Sequence, residues 1–204
     1  MRTRGMALAC TATFVVTLGW VLSATDGNDK DKDALNPNKA ERARIAQGFE
    51  ITPVPVTLDG LDADLVGLGS YLVNAVGGCT DCHTWPNYAP GGDPFVGEPK
   101  QINTTHFLAG GRPFGPFSSR NLTRVPETHP YEEFVSMMRT GLDPHQAHIQ
   151  ISPLLQAMPW PVYQEMSDHD LSAIYEYLKA IPNTARCASV GPLSPTQTDP
   201  TCVP

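Results

Sequence analysis

Basic residues are scarce: 14 Lys and Arg stand against 21 Asp and Glu, for a formal charge of -7. No stretch is basic enough to neutralise a run of phosphates, which argues against nucleic acid as a partner. An acidic surface instead keeps the chain soluble and steers it toward basic partners. Alternating apolar and polar runs are missing as well, so no strand is expected, and no internal repeat is visible. Apolar residues reach 41%, enough for one modest core in 204 residues. Pro (20) and Gly (17) are plentiful instead, which predicts long irregular connections.

Long uncharged apolar runs are absent except at the start. "MRTRGMALACTATFVVTLGWVLSATDG" places Arg2 and Arg4 before a charge-free stretch from Gly5 to Thr25. Residues 1–25 therefore read as an export signal or an N-terminal membrane anchor. Cysteine is sparse, five in all. Cys10 lies inside the apolar run and reads as a small hydrophobe. The other four form two sets, Cys79 with Cys82 and Cys187 with Cys202. Export puts them in an oxidising compartment. A disulfide between Cys187 and Cys202 would then close the Pro/Ser/Thr-rich tail, residues 184–204.

Residues 26–57 are polar and mixed in charge, with Asn-Pro and Pro-Val-Pro steps, and read as a tether holding a short helix around Lys39–Gln47. From Leu61 the pattern turns helical. Leu65, Leu68, Leu72 and Val76 mark one face, and Gly77-Gly78 stops it. Residues 84–127 show no steady period and read as a long loop that wraps something. A second helix is expected over Tyr131–Thr140, with Pro130 at its start, Gly141 at its end, and Phe134, Met137 and Met138 inward. The last helix has Ser167 as N-cap and Asp170 as its capping partner. Leu171, Ile174, Tyr175 and Leu178 form its face, and Pro182 stops it. The expected fold class is a small, mainly α domain with long Gly/Pro-rich loops.

The chemistry concentrates in "GGCTDCHT", residues 77–84. A structural zinc site needs four ligands, and the best second pair here is His145 with His148 in "DPHQAH". A thioredoxin-like dithiol would want a strand before it and a helix after it, the reverse of this order. Cys-x-x-Cys-His is the attachment signature of c-type haem. Its two thiols reach the vinyl-derived carbons, and the next histidine, His83, falls under the iron. A sixth ligand separates electron transfer from catalysis. Met137 and Met138 read as core, and Met166 as a staple before the last helix. Met158 stands in a proline-stiffened loop, "AMPWP", and is the leading candidate. His145 and His148 are its serious rivals. His106, His129 and His169 are weaker ones, with His169 expected in solvent.

With the helix before the cluster, the loop methionine and the closing "SDHDLSAIYEYLKAIP", residues 58–183 resemble a class I monohaem c-type cytochrome domain. "NLT" (Asn121–Thr123), "RTG" (Arg139–Gly141) and "MPW" (Met158–Trp160) carry the resemblance to bacterial haem-c domains, although Arg124-Val125 stands where those often have Pro-Asp. The resemblance implies covalent haem c at Cys79 and Cys82, with His83 and Met158 on the iron. It also implies that the first and last helices cross, with Gly69, Tyr71 and Tyr175 as contact residues. Arg112 and Arg120 are candidates for pairing with haem propionates, and Trp85 and Trp160 for packing on the macrocycle. A second Cys-x-x-Cys-His is absent, which excludes a multi-haem wire in these residues.

The function expected is single-electron transfer, as a periplasmic carrier or a relay tethered to the inner membrane. The alternative is a relay subunit of a respiratory, dehydrogenase or photosynthetic complex. Redox proteins are the expected partners, and no catalytic residue is assigned. A haem enzyme or gas sensor would need an open sixth position, and an enzyme also a distal acid–base group, for which only His145 or His148 offers itself.

Overall fold

A computed structural model describes residues 37–143 and 153–184. The export segment, Cys10, His145, His148 and the Cys187–Cys202 pair lie outside the described residues. Among the described residues no helix is long and apolar enough to cross a membrane. The body is mainly helical, as expected.

Helix α1 (Pro37–Ile51) packs along α2 (Ala63–Tyr71), and α2 crosses the last helix, α7 (Asp168–Ala180). Both crossings depend on glycine. A Cβ on Gly48 would overlap the Gly67 carbonyl, and one on Gly69 would overlap the Ala173 carbonyl. The Ser70 hydroxyl donates a 2.7 Å bond to Gly48 O across the first crossing. Thr57 N donates to Ala180 O at 2.8 Å, and Val54 is buried. Among the described residues, 37–57 therefore pack with the body that was expected to start at residue 58. The helix expected around Lys39–Gln47 belongs to the body rather than to a tether.

Asp62 caps α2, its carboxylate accepting from Asp64 N and Leu65 N. After Tyr71 the helix widens into a π turn, Leu72–Val76, closed by Gly77 N donating to Leu72 O at 2.7 Å. The wider turn shifts the rotation of its side chains about the helix axis. Leu68 and Leu72 are buried as expected, but Val76 is left 58% exposed. Helix α3 (Cys79–His83) comes immediately after.

A two-residue hairpin, β1 (Pro113–Phe114) with β2 (Phe117–Ser118), interrupts the long loop where no strand was expected. A single helical turn, α4 (Val125–Thr128), comes next. Helix α5 (Tyr131–Thr140) has the expected bounds, with Gly141 as its C-cap and Phe134, Met137 and Met138 buried. A short turn, α6 (Trp160–Tyr163), leads to α7. There Ser167 Oγ accepts from Asp170 N at 3.1 Å and donates to Asp170 Oδ2 at 2.8 Å, the expected cap.

The expected contact of Tyr175 with the first helix is corrected. Tyr175 packs on Tyr131 and Phe134 at 5.4 Å between ring centroids. Tyr177 is the residue that meets α2, fully buried, its hydroxyl 2.9 Å from Thr52 Oγ1 and accepting from Asn74 Nδ2 at 3.2 Å. Two residues are about 200° of helix, so the two tyrosines point to opposite sides. Gly69 does lie at the crossing, whereas the Tyr71 backbone lies against Gly48 of α1.

Candidate cofactor-binding site

Gly78, at φ +62, turns the chain so that α3 starts directly after the π turn. Cys79, Cys82 and His83 then project into one cavity of about 1030 Å³. Its size is near the top of the range for ligand pockets, and most of its wall is apolar. Both cysteines are free thiols. Cys79 opens onto the cavity, yet protein atoms crowd it enough for burial to push its thiol up to about 12. Burial raises the Cys82 thiol as well, opposed by Arg112 and helped by Asp81. Neither is the low-pKa thiolate that a working redox dithiol needs.

His83 is fixed through its other ring nitrogen. Nδ1 lies 2.8 Å from the carbonyl oxygen of Arg120. A carbonyl only accepts, so Nδ1 carries the proton and Nε2 keeps its lone pair. Burial holds the imidazole below its ordinary pKa, which keeps that lone pair available at neutral pH. Gly110 makes the arrangement fit. It sits at φ +76 and donates from its own N to His83 O at 2.6 Å, while a Cβ there would overlap the Arg120 carbonyl. Next to it the fully buried Leu108 adopts φ +53, and its N–H is taken by Thr84 Oγ1 at 3.0 Å. A left-handed leucine costs about 1–2 kcal/mol, which the surrounding bonds offset.

Met158 lines the same cavity, on the segment between α5 and α6. It is half-buried. Met137, Met138 and Met166 also reach the wall, although their spacing in the sequence suits core or staple positions. Of the histidines, His129 lines the cavity, but Thr128 Oγ1 holds its Nδ1 at 2.8 Å. His106 is buried away from the wall, and His169 is exposed, its Nε2 3.3 Å from Glu41 Oε1.

The two arginines separate. Arg120 lines the cavity, and its guanidinium pairs with the fully buried Asp143, whose Oδ1 also lies 3.6 Å from His129 Nε2. Arg112 does not reach the wall. It lies over Trp85 and Phe114, 5.7 Å from each ring centroid, and donates to Asp81 O. Neither Trp85 nor Trp160 lines the cavity, and Trp160 packs against Gly141 instead. The wrapping expected of residues 84–127 comes from their second half alone, from Phe114 onward.

The "NLT" residues have a structural role that their sequence pattern alone does not assign. Asn121 Oδ1 accepts from Thr123 N at 2.9 Å, and Asn121 Nδ2 donates to Thr184 O at 2.7 Å. Thr184 N donates in turn to Thr123 Oγ1 at 3.0 Å. These bonds tie the cavity wall beside Arg120 to the chain leaving α7. A short Asn-x-Thr run before a helical turn is the local signal that marks such a turn. Nothing in the sequence marks the Arg120 carbonyl, because a backbone acceptor carries no side-chain signature.

No protein-family profile matches the chain. Over 117 residues, 55% of this chain, it is 32% identical to the gluconate 2-dehydrogenase cytochrome c subunit of Pantoea cypripedii. The match covers 22% of that protein, so the chain spans about a fifth of the relative's length.

Proposed function

We propose that the chain binds one haem c covalently and passes single electrons as the relay subunit of a dehydrogenase, or as an exported carrier. The observation that carries this reading is the meeting of Cys79, Cys82 and His83 with Met158 on the wall of one apolar cavity.

The donor set suits the group. Two thiols three residues apart match two thioether bonds, and a neutral imidazole with a bare Nε2 matches a proximal ligand. Bound there, haem supplies an iron centre that gains and loses one electron. The remaining work belongs to the protein. Cys79 and Cys82 anchor the group, and His83, held by the Arg120 carbonyl, keeps its orientation and gains basicity. The Met158 thioether would be the second iron ligand, and as a weaker donor than imidazole it would favour the reduced state. Arg120 lines the wall with its guanidinium already paired to Asp143, and the apolar lining would keep water from the group.

The likeness to a protein named as a cytochrome c subunit supports the relay reading. On that reading substrate oxidation belongs to another subunit, and this chain has no catalytic residue. Export follows from the same proposal, because haem c is attached outside the cytoplasm, with residues 1–25 as signal or anchor.

Visible spectra of the holoprotein test the reading. Colour should survive acid–organic extraction, since the link is covalent. Wild type should ignore carbon monoxide when reduced and show a Met–iron charge-transfer band when oxidised. Met158→Ala should bind carbon monoxide and lose the band. If wild type binds carbon monoxide and the substitution changes nothing, the carrier reading fails, and His145 and His148 become the residues to examine.

A further inference from the structure

Tyr163 has no role in the proposed electron transfer, yet its ring lines the cavity and its hydroxyl donates a 2.8 Å bond to Gly77 O, 86 residues away. Gly77 directly precedes Gly78 and Cys79 of the cavity wall. Tyr163 belongs to the segment that carries Met158. Trp160 N donates to Met158 O at 2.8 Å, Val162 N to Pro159 O at 3.0 Å, and Gln164 N to Trp160 O at 2.9 Å. With Pro159 and Pro161 fixing φ between them, residues 158–164 form one stiff turn. Met158 stands at one end and Tyr163 near the other.

This turn is held on two sides. Trp160 packs on Gly141, and Arg139 donates to Gln164 O, which seat the turn on α5. The Tyr163 hydroxyl ties it to the segment that carries Cys79 and His83. The α5 contacts place the turn, and the Tyr163–Gly77 bond ties it to the cysteine-bearing segment.

We infer that Tyr163 is a positioning residue that holds the Met158 thioether in reach of the iron by latching the Met158 turn to Gly77. The inference rests on the proposed haem reading. Without the latch, Met158 leaves the iron more readily while the fold stays intact, because the α5 contacts remain.

The test is imidazole titration of the oxidised holoprotein, monitored by loss of the Met–iron band. Imidazole binds only when the methionine lets go, so its apparent affinity reads how firmly Met158 is held. Tyr163→Phe keeps the ring and removes the latch. One net hydrogen bond corresponds to about fivefold tighter imidazole binding. Tyr175→Phe is the control. It loses a comparable bond, 3.0 Å to His129 O, away from the Met158 turn, and should keep the wild-type affinity. An unchanged affinity in Tyr163→Phe overturns the inference. So does an equal shift in both variants, which would mean general loosening rather than a latch. A wild-type protein with no Met–iron band sinks the ligand reading itself, and the latch with it.

Discussion

Replacing Gly110 by alanine tests how His83 is held. Two costs are expected, and a second glycine separates them. Gly110 sits at φ +76, so any Cβ there carries the left-handed penalty of about 1–2 kcal/mol. The new methyl would also overlap the Arg120 carbonyl and lie 2.6 Å from Ser119 O. Both neighbours are backbone and cannot rotate away, so the chain at 119–120 has to shift at a further cost of about 1–3 kcal/mol. Gly91 has nearly the same angle, φ +77, with nothing within 4 Å of a Cβ. Gly91→Ala therefore carries the first cost alone. At about 3 °C per kcal/mol, thermal unfolding of the holoprotein should fall by about 3–6 °C for Gly91→Ala and by about 6–15 °C for Gly110→Ala. On the proposed haem reading, the shift would also lengthen the bond from His83 Nδ1 to Arg120 O, making the imidazole a poorer donor and raising the reduction potential. Voltammetry should show that rise in Gly110→Ala only. Equal melting temperatures for the two variants, with equal potentials, would refute the claim that Gly110 makes room for the His83 acceptor.

Asp143→Asn keeps the side-chain shape but leaves the Arg120 guanidinium, 15% exposed, without its buried counter-charge. Denaturant unfolding should lose about 3 kcal/mol, the lower end of the cost of breaking a buried pair, and a loss under about 1 kcal/mol would show the pair to be unimportant. Cys79 gives a pH signature that depends on attachment. In the haem-free chain its thiol is raised from near 9 to about 12, so its contribution is full below pH 9 and is lost as pH rises toward 12. In a holoprotein attached through Cys79, as proposed, the same sulfur would be a thioether and could not titrate. Alkaline unfolding curves should therefore diverge above pH 9, and parallel curves would count against attachment at Cys79.

Where sequence pattern and structure agree, the determinants are local. The bounds of α5 follow from Pro130 and Gly141 at its ends, and the start of α7 follows from the Ser167–Asp170 cap. These signals act within a few residues and survive any tertiary context. Where they disagree, the determinants are partners distant in the chain. Helix α1 reads as tether because its apolar pattern is weak. It docks through Gly48, a close backbone approach, and a serine bond, none of which hydrophobic periodicity can register. Val76 fits a strict helical stripe, and the π turn that rotates it outward has no simple residue signature. Arg112 and Arg120 look alike in sequence. Their roles diverge because one meets two aromatic rings and the other meets a buried carboxylate.

The methionines show why the site is only half legible in the sequence. A cavity for an apolar macrocycle is lined by the same side chains that fill a core, so Met137 and Met138 satisfy either reading, and both in fact reach the wall. Hydrophobic pattern therefore cannot tell a residue packed on its neighbours from one packed on a cofactor. The residues that break this ambiguity have chemistry a core does not need: two thiols and an imidazole within five positions, and an arginine facing an apolar space. Burial does not single out Met158 either, because four methionines share the wall and Met158 is half-buried. What distinguishes it is stiffness, from the prolines of its own turn and from the bond by which Tyr163 of that turn holds Gly77. A ligand has to be held where the metal is, whereas a core residue has only to fill space, so constraint rather than burial identifies the methionine to test.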